Sequence, residues 1–194
     1  MPDFNFSQYH FILASKSPRR HFLLKELGLN FEVKYKDVDE SYPLHLKAEE
    51  VPLYLCRKKA EAFAEFLVNE NDLVITADTV VWVNGLVLNK PVDAADAKRM
   101  LRLLSGRMHE VFTGVCLKTI HKSVCFHSAT KVYFKNLSED EIDYYVLNYR
   151  PYDKAGAYGA QEWIGYIAIE RIEGSYFNVM GLPLFELQEH LLGF

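Results

Sequence analysis

An α/β fold is predicted by the order of three patterns along the chain. Residues 11–28, F-I-L-A-S-K-S-P-R-R-H-F-L-L-K-E-L-G, run from an apolar strand through a polar turn into a helix. Residues 72–77, D-L-V-I-T-A, form the most continuous β-branched apolar run of the first half, the composition of a central strand buried on both faces. Two strand-turn-strand patterns, at 80–88 and 110–134, are then separated by a helical one. A chain of 194 residues with 49% hydrophobic and 25% charged content is long enough for a sizeable core, and one domain over 1–194 is expected.

The first helix has well-marked boundaries. Ser17 suits the N-cap, Pro18 the first helical position and Gly28 the C′ position. Ser15, Lys16, Ser17, Arg19 and Arg20 crowd hydroxyls and cations at a helix N-terminus, where the backbone amides and macrodipole already favour negative charge. Stability alone would place Asp or Glu there, so the basic turn reads as a cradle for an anion such as a polyphosphate. The plainer alternative is a solvated basic turn paired to carboxylates elsewhere. Phe31, Val33 and Tyr35 then alternate with Glu32 and Lys34 as a half-buried strand does. Asp37, Asp39 and Glu40 fall in the following turn, either as solvated charge or as hard-metal ligands facing the cradle.

A helix is expected over 52–67, with Cys56, Ala60, Phe63 and Leu67 on one stripe. At about 100° per residue Lys59 falls beside that stripe and Lys58 points away from it, so Lys58 reads as surface. Lys59 either reaches over the apolar face into a site or snorkels along it. Asp78 ends the central strand, where α/β sheets tend to present chemistry, and Thr79 follows; a turn or capping role is the alternative for Asp78. Residues 80–88 read as a hairpin around Asn84-Gly85 with a type I′ turn, which would carry Lys90 back beside Asp78. From spacing alone Lys90 reads as a rim charge.

Asp93 caps a helix to about Leu104 with Ala97, Met100, Leu101 and Leu104 inward. Two strands of one sheet follow at 110–118 and 122–134, with Thr113 and Gly114 interrupting the apolar pattern. Ser138 and Glu141 form a capping box for a helix that Arg150-Pro151 ends. In residues 152–161, Y-D-K-A-G-A-Y-G-A-Q, two glycines flank Ala157-Tyr158 in a stretch that reads as a substrate-lining loop, with Asp153 and Lys154 a simple ion pair in the plainer reading. Residues 166–172 read as a strand, 174–182 as a loop, and Pro183 as the start of a terminal helix carrying Leu184, Leu187 and Leu191.

Charge and cysteine usage exclude several classes. A net charge of −4 and no basic tail argue against non-specific binding of nucleic acid or of an anionic membrane, so any nucleotide must be recognised locally. No run approaches the length of a membrane span, and the first ten residues lack the basic and apolar regions of a signal peptide. Cys56, Cys116 and Cys125 have no CxxC spacing and lie in apolar segments, so they read as reduced core residues suited to a reducing, cytoplasmic setting. All seven histidines read as structural or surface groups.

Taken together, these residues resemble the Maf family of nucleoside triphosphate pyrophosphatases, once described through septum formation. The resemblance spans nearly the whole chain. It rests on A-S-K-S-P-R-R at 14–20, V-D-E-S at 38–41, R-K-K-A at 57–60, A-D-T-V-V at 77–81, N-K-P at 89–91, L-S-G at 104–106, D-K-A-G-A-Y-G-A-Q at 153–161 and G-S-Y-F-N-V-M-G-L-P at 174–183.

The resemblance implies an elongated mixed sheet flanked by helices with a deep cleft, similar to inosine triphosphatase. It implies hydrolysis of a nucleoside triphosphate between the α and β phosphates, with a divalent metal, Mg²⁺ or Mn²⁺, as a nucleotide-pool house-cleaning activity. By position Asp78 is the proton acceptor, while Lys59, Lys90 and the turn from Ser15 to Arg20 hold phosphates. Glu40, with Asp78, would help bind the metal. Arg19, Thr79 and Gln161 match positions associated with substrate choice in the branch acting on dTTP and UTP, whose mark is A-Y-G-x-Q. Ala160 stands where a bulkier Ile is usual. The implied partner is a small-molecule nucleotide, and the resemblance hints at a homodimer. Arg19, Arg20, Lys59, Lys90 and a metal would neutralise the roughly four charges of a triphosphate and stabilise the departing pyrophosphate. The competing class is a non-catalytic, nucleotide-binding regulator of cell division using the same cleft, although a pure sensor has no need of a water-orienting acid.

Overall fold

The computed structural model describes residue 6 and residues 8–194, so the reading of the N-terminal stretch as no signal peptide lies largely outside the described residues. A seven-stranded mixed sheet, β2-β1-β3-β5-β6-β7 with β4 on β3, runs through the molecule. Strands β1 (His10–Ala14), β2 (Phe31–Lys34) and β3 (Asp72–Val83) are parallel. Strands β4 (Leu86–Leu88), β5 (Met108–Lys118), β6 (Ser123–Phe134) and β7 (Ile169–Glu173) join antiparallel. The elongation comes from β3, β5 and β6, each 11 or 12 residues long. Among the described residues no helix is long and apolar enough to cross a membrane.

Helix α1 (Pro18–Glu26) has Pro18 at its start and Gly28 at φ 81°, as its sequence predicts. Ser17 is the N-cap by position only: its side chain accepts no cap bond, and its own N–H donates to Ser15 Oγ at 3.1 Å. Helix α2 (Glu50–Ala62) starts two residues earlier than expected and stops at Phe63, giving way to a short 3-10 turn over Ala64–Phe66. Cys56, Ala60 and Phe63 are buried, so the phase assigned to this helix is the one it adopts. Helices α3 (Ala94–Leu104) and α4 (Glu139–Tyr149) carry the expected Asp93 cap and the Ser138–Glu141 capping box.

Four expectations are corrected. Asp78 does not follow the central strand, because β3 runs unbroken from Asp72 to Val83 and takes in the first half of the hairpin. Pairing with β5 continues on one side through Asp78↔Gly114 and Thr79↔Thr113, so two polar residues are kept extended by the ladder rather than by apolar pattern. Residues 166–168, the start of the segment read as a strand, belong instead to helix α5 (Trp163–Ala168), the strand beginning only at Ile169 as β7, and Tyr176–Met180 forms the short helix α6 in the segment read as a loop, with Ser175 accepting from the Asn178 N–H. Helix α7 (Leu184–Leu192) closes the chain with Leu187 and Leu191 buried. Cys116 and Cys125, read as reduced, face each other across β5 and β6 as a disulfide; a hairpin brings them into register, which a search for CxxC spacing cannot see. Cys56 remains a buried thiol, pushed up to about 12 chiefly by burial.

Strand alternation sorts the core. Thr76, Asp78 and Val80 of β3 point to the face covered by α2, where Val51, Leu55, Val80 and Phe112 form one cluster. Ala77, Thr79 and Val81 point to the other face, which carries two larger apolar clusters. Ala77 and Val115 belong to the one built with α1 and α7, whereas Val81 and Val111 belong to the one built with α3 and α4. Thr79, Thr113 and Asn178 lie between them as a polar seam.

Candidate active site

The cleft opens where β1 ends. β1 pairs with β3 only as far as Leu13↔Ile75, and β4 joins β3 only from Val81, which leaves the β3 edge at Asp78 and Thr79 open between them. The cavity there is about 550 Å³ and is lined from both faces of the sheet. Ser15, Arg19, Arg20, Glu40, Lys59, Asp78, Thr79, Lys90 and Gln161, far apart in sequence, all line it.

On the α2 face charges alternate. Asp78, only 8% exposed, receives Lys59 Nζ on Oδ1 at 2.5 Å. The same ammonium lies 2.8 Å from Glu40 Oε1, and Lys90 Nζ lies 3.4 Å from Glu40 Oε2. Burial alone would push the Glu40 carboxyl up, but Lys59 and Lys90 outweigh it and hold the group below its ordinary value. Lys90, a rim charge by spacing, is half-exposed yet belongs to this array. Lys58 points outward to Asp39 at 2.9 Å, and the Ser41 hydroxyl, with Lys58, keeps that carboxyl low. Asp37 pairs with Lys16 at 2.6 Å on the exposed rim. Of the three acids in this turn, only Glu40 turns inward toward Asp78.

The geometry of α2 follows from one glycine. Gly114 of β5 faces the backbone of α2 so closely that an added Cβ would sit 2.5 Å from the Pro52 carbonyl. Only a residue without a side chain lets the helix settle onto the sheet at the level of Asp78, its cross-strand partner.

On the other face the two arginines divide their work. Arg20 donates from Nε to Gly181 O at 2.8 Å, from Nη1 to Ala77 O at 2.8 Å and from Nη2 to Thr79 Oγ1 at 3.0 Å, and burial lowers its pKa. It ties α1 to β3 and to the α6–α7 junction rather than presenting an open fork. Arg19 is the freer of the two and donates to Asp153 Oδ2 at 2.8 Å. Ser15 is buried at the turn, its oxygen accepting the Ser17 N–H.

Asp153 and Lys154 are the ion pair expected, at 2.7 Å, but the pair continues inward. Lys154 Nζ also meets Glu162 Oε1 at 3.0 Å, and Tyr145 of α4 donates to the other Glu162 oxygen while accepting the Gly159 N–H at 3.1 Å. This chain, from Arg19 through the loop to α4, was not legible as a whole in sequence, since its first link alone, Arg19 to Asp153, spans 134 positions. The loop it anchors also needs Gly156, at φ 69°, whose added Cβ would strike Val81 at 2.8 Å. Tyr158 is buried beside the cavity with its hydroxyl 2.8 Å from His109 Nε2, and burial drives His109 down to about 3, a structural histidine as predicted. Gln161 ends the loop. Its backbone carbonyl accepts from Tyr166, while its side-chain Oε1 is buried without a hydrogen-bond partner among the described residues.

The arrangement therefore offers one edge of a strand with an acid and alternating cations on one face, and an unpaired amide acceptor and a hydroxyl on the other. The comparisons bear on what it serves. A dTTP/UTP pyrophosphatase of Porphyromonas gingivalis is 53% identical over 98% of this chain and 96% of its own length. Another of that description, from Bacteroides fragilis, is 53% identical over 96% of this chain and 97% of its own. Among solved structures, the Staphylococcus aureus Ham1 protein superposes with a TM-score of 0.52 over 95% of this chain and 98% of its own at 19% identity, a likeness of fold alone. The family described as Maf-like protein matches residues 10–194, and with that match over nearly the whole chain and relatives at half identity, this protein belongs to the Maf family.

Proposed function

We propose that this cleft hydrolyses nucleoside triphosphates, dTTP and UTP in preference to others, to the monophosphate and pyrophosphate. The observation that carries the reading is the buried Asp78 carboxylate, held through one oxygen by Lys59 and facing a cavity whose wall carries Lys90 and Arg19. Lys59 fixes Oδ1, which leaves Oδ2 to accept the proton of an attacking water. Lys59, Lys90, Arg19 and the turn at Ser15 then sit where the phosphates and the departing pyrophosphate spread their charge. The family's relatives described as dTTP/UTP pyrophosphatases support the same substrate class.

A divalent metal, Mg²⁺ or Mn²⁺, fits the donor set as a companion of the substrate. Glu40 and Asp78 present two hard carboxylates bridged by a single ammonium, and among the described residues no group of three or more His, Cys, Asp or Glu converges to form a full protein cage. Mg²⁺ characteristically keeps waters and takes one or two carboxylates plus phosphate oxygens. Glu40 and Asp78 would hold it, and it would supply charge neutralisation and a lowered water pKa. A homodimer, at which the family resemblance hints, and a cytoplasmic location belong to the same proposal.

The base reading rests on Gln161. Uracil and thymine present an N3–H donor between two carbonyl acceptors, and the buried Gln161 amide oxygen, without a partner among the described residues, matches that donor. The test is product analysis with dTTP, UTP, CTP, ATP and GTP in Mg²⁺ or Mn²⁺. Equimolar monophosphate and pyrophosphate, fastest from dTTP and UTP, is expected; release of orthophosphate, or turnover led by a purine, overturns the proposal.

A further inference from the structure

The polar seam beneath the cleft has a direction, and the direction bears on base choice. Thr79 and Thr113 are cross-strand partners on β3 and β5, and their hydroxyl oxygens lie 2.9 Å apart. Thr79 is partly open to the cavity, whereas Thr113 is fully buried. Arg20 Nη2 donates to Thr79 Oγ1 at 3.0 Å, and Thr113 Oγ1 lies 3.1 Å from the backbone carbonyl of Asn178. A guanidinium only donates and a carbonyl only accepts, so both ends of this row have fixed polarity.

Each threonine has one proton. If Thr113 donates to Asn178 O, its oxygen must accept from Thr79, and every contact in the row is a hydrogen bond. If Thr113 donates to Thr79 instead, the 3.1 Å contact to Asn178 O holds no proton and a buried oxygen pair is left facing each other. The first order keeps one more buried bond than the second. It runs from Arg20 through Thr79 and Thr113 to Asn178. Thr79 has then spent its proton inward and one lone pair on Arg20, and what it turns to the cavity is its second lone pair.

We propose that this proton order makes Thr79 an acceptor toward the base, and that Thr113, which never touches the substrate, is the positioning residue that enforces it. The inference rests on the pyrimidine reading of the site and deepens it. Uracil and thymine bring one proton at N3, which Thr79 shares with the Gln161 oxygen in a three-centre bond, while cytosine brings a lone pair there. To accept cytosine, Thr79 must turn its proton outward, which costs the row one buried bond: the Thr79–Thr113 contact loses its proton, or Thr113 turns to fill it and gives up Asn178 O. Gln161 alone could not reject cytosine, since a free amide can rotate to present its donor, so the fixed hydroxyl supplies what the amide lacks. The seam is further pinned by Asn178 Nδ2, which donates to Val111 O at 3.0 Å and Thr130 Oγ1 at 2.9 Å.

The test is the ratio of kcat/KM for UTP over CTP in Thr113→Val, Thr113→Ala and Thr113→Ser, with UTP over ATP measured alongside. Valine keeps the shape of threonine and removes the hydroxyl, so Thr79 is free to turn; the UTP over CTP ratio should fall about tenfold or more, by a rise in CTP turnover. Alanine should do the same and stands in if the valine variant does not fold. Serine keeps the hydroxyl and should keep the ratio. A loosened pocket would relax purine rejection too, so UTP over ATP should hold. The proposal is overturned if the valine or alanine variant keeps the wild-type UTP over CTP ratio, if serine loses it, or if the ATP ratio falls in parallel. Should the wild type show no preference for UTP over CTP at all, the dTTP and UTP preference on which the inference rests fails, and that outcome is visible before any variant is made.

Discussion

Lys59→Ala is the perturbation that the geometry evaluates most directly. The ammonium sits 2.5 Å from Asp78 and 2.8 Å from Glu40, so the two carboxylates are at most roughly 5 Å apart across it. Without it they face each other, and two like charges at that separation repel by about 3 kcal/mol at an effective dielectric of about 20. Nearly half of the Glu40 side chain is exposed at 47%, and solvent screening reduces this to roughly 1–2 kcal/mol, equivalent to about one pH unit. The sign follows from Glu40. In the wild type its pKa is depressed, so the ionised array is complete above the ordinary value of 4.5 and is lost only as pH falls through the lowered one. Removing Lys59 pushes that transition upward. The assay is kcat/KM for UTP against pH. At neutral pH a loss of about 10²- to 10³-fold is expected from the missing phosphate and leaving-group contact, with the acid limb displaced to higher pH. Lys58→Ala removes an exposed pair with Asp39 and a bond to the Ser41 carbonyl, neither facing Asp78, and should cost less than about threefold. Equal effects of the two variants, or an acid limb that stays in place, would refute the reasoning.

Asp78→Asn should keep the fold and nucleotide binding while losing about 10²- to 10⁴-fold in kcat; a variant with more than about a tenth of wild-type kcat removes Asp78 from the proton-accepting role. Gln161→Ala should erode the preference for dTTP and UTP over other bases, each buried group left unpaired costing about 1–3 kcal/mol, and an unchanged base profile across the panel contradicts the assignment. Gly114→Ala drives a Cβ into the α2 backbone at 2.5 Å and should destabilise by about 1–3 kcal/mol in denaturant titration and lower kcat together, because Lys59 moves with the helix; an active variant of normal stability would show that α2 is free to shift. His109, held at about 3 by burial against an ordinary 6.5, is neutral in the fold and charged in the unfolded chain below 6.5. Its contribution is present above pH 6.5 and is lost as pH falls toward 3, so His109→Gln should flatten the pH dependence of Tm in that window, and a Tm profile parallel to wild type would show otherwise.

Local chemistry was legible. Asn84-Gly85 at φ 51° and 79°, the Asp93 cap, the capping box at Ser138 and the start of α1 each depend on residues within one turn of each other, and each forms as its sequence predicts. So did the phase of α2, which placed Lys59 inward and Lys58 outward. What failed was non-local. The strand break expected at Asp78 does not occur because β5 continues to pair there, and 163–168 turns helical where Gly165 packs against the Ala160 carbonyl, a contact that a residue with a Cβ could not make. Cys116 and Cys125 meet only because a hairpin aligns them. The chain running from Arg19 through Asp153 and Lys154 to Glu162 and Tyr145 was only half legible: the basic turn and the Asp153–Lys154 pair stood out in sequence, but nothing marked Glu162 and Tyr145 as the groups that anchor them. Arg20 was equally opaque: its type announced an anion site, and only its three acceptors reveal a clamp.

Asp78 and Thr79 are adjacent in the chain and point to opposite faces of β3, one toward α2 and the other toward α6 and the seam. Two tasks thus share a single strand edge without sharing neighbours. Substitutions packed under Thr79 reach Asp78 chiefly through the β3 backbone, which β5 pairs on one side, and substitutions around Lys59 reach the seam by the same path. An engineer could vary Thr113, Asn178 and Gln161 as one library for a new nucleobase, screen it against an unaltered turnover apparatus, and combine the winners with changes on the α2 face in simple addition.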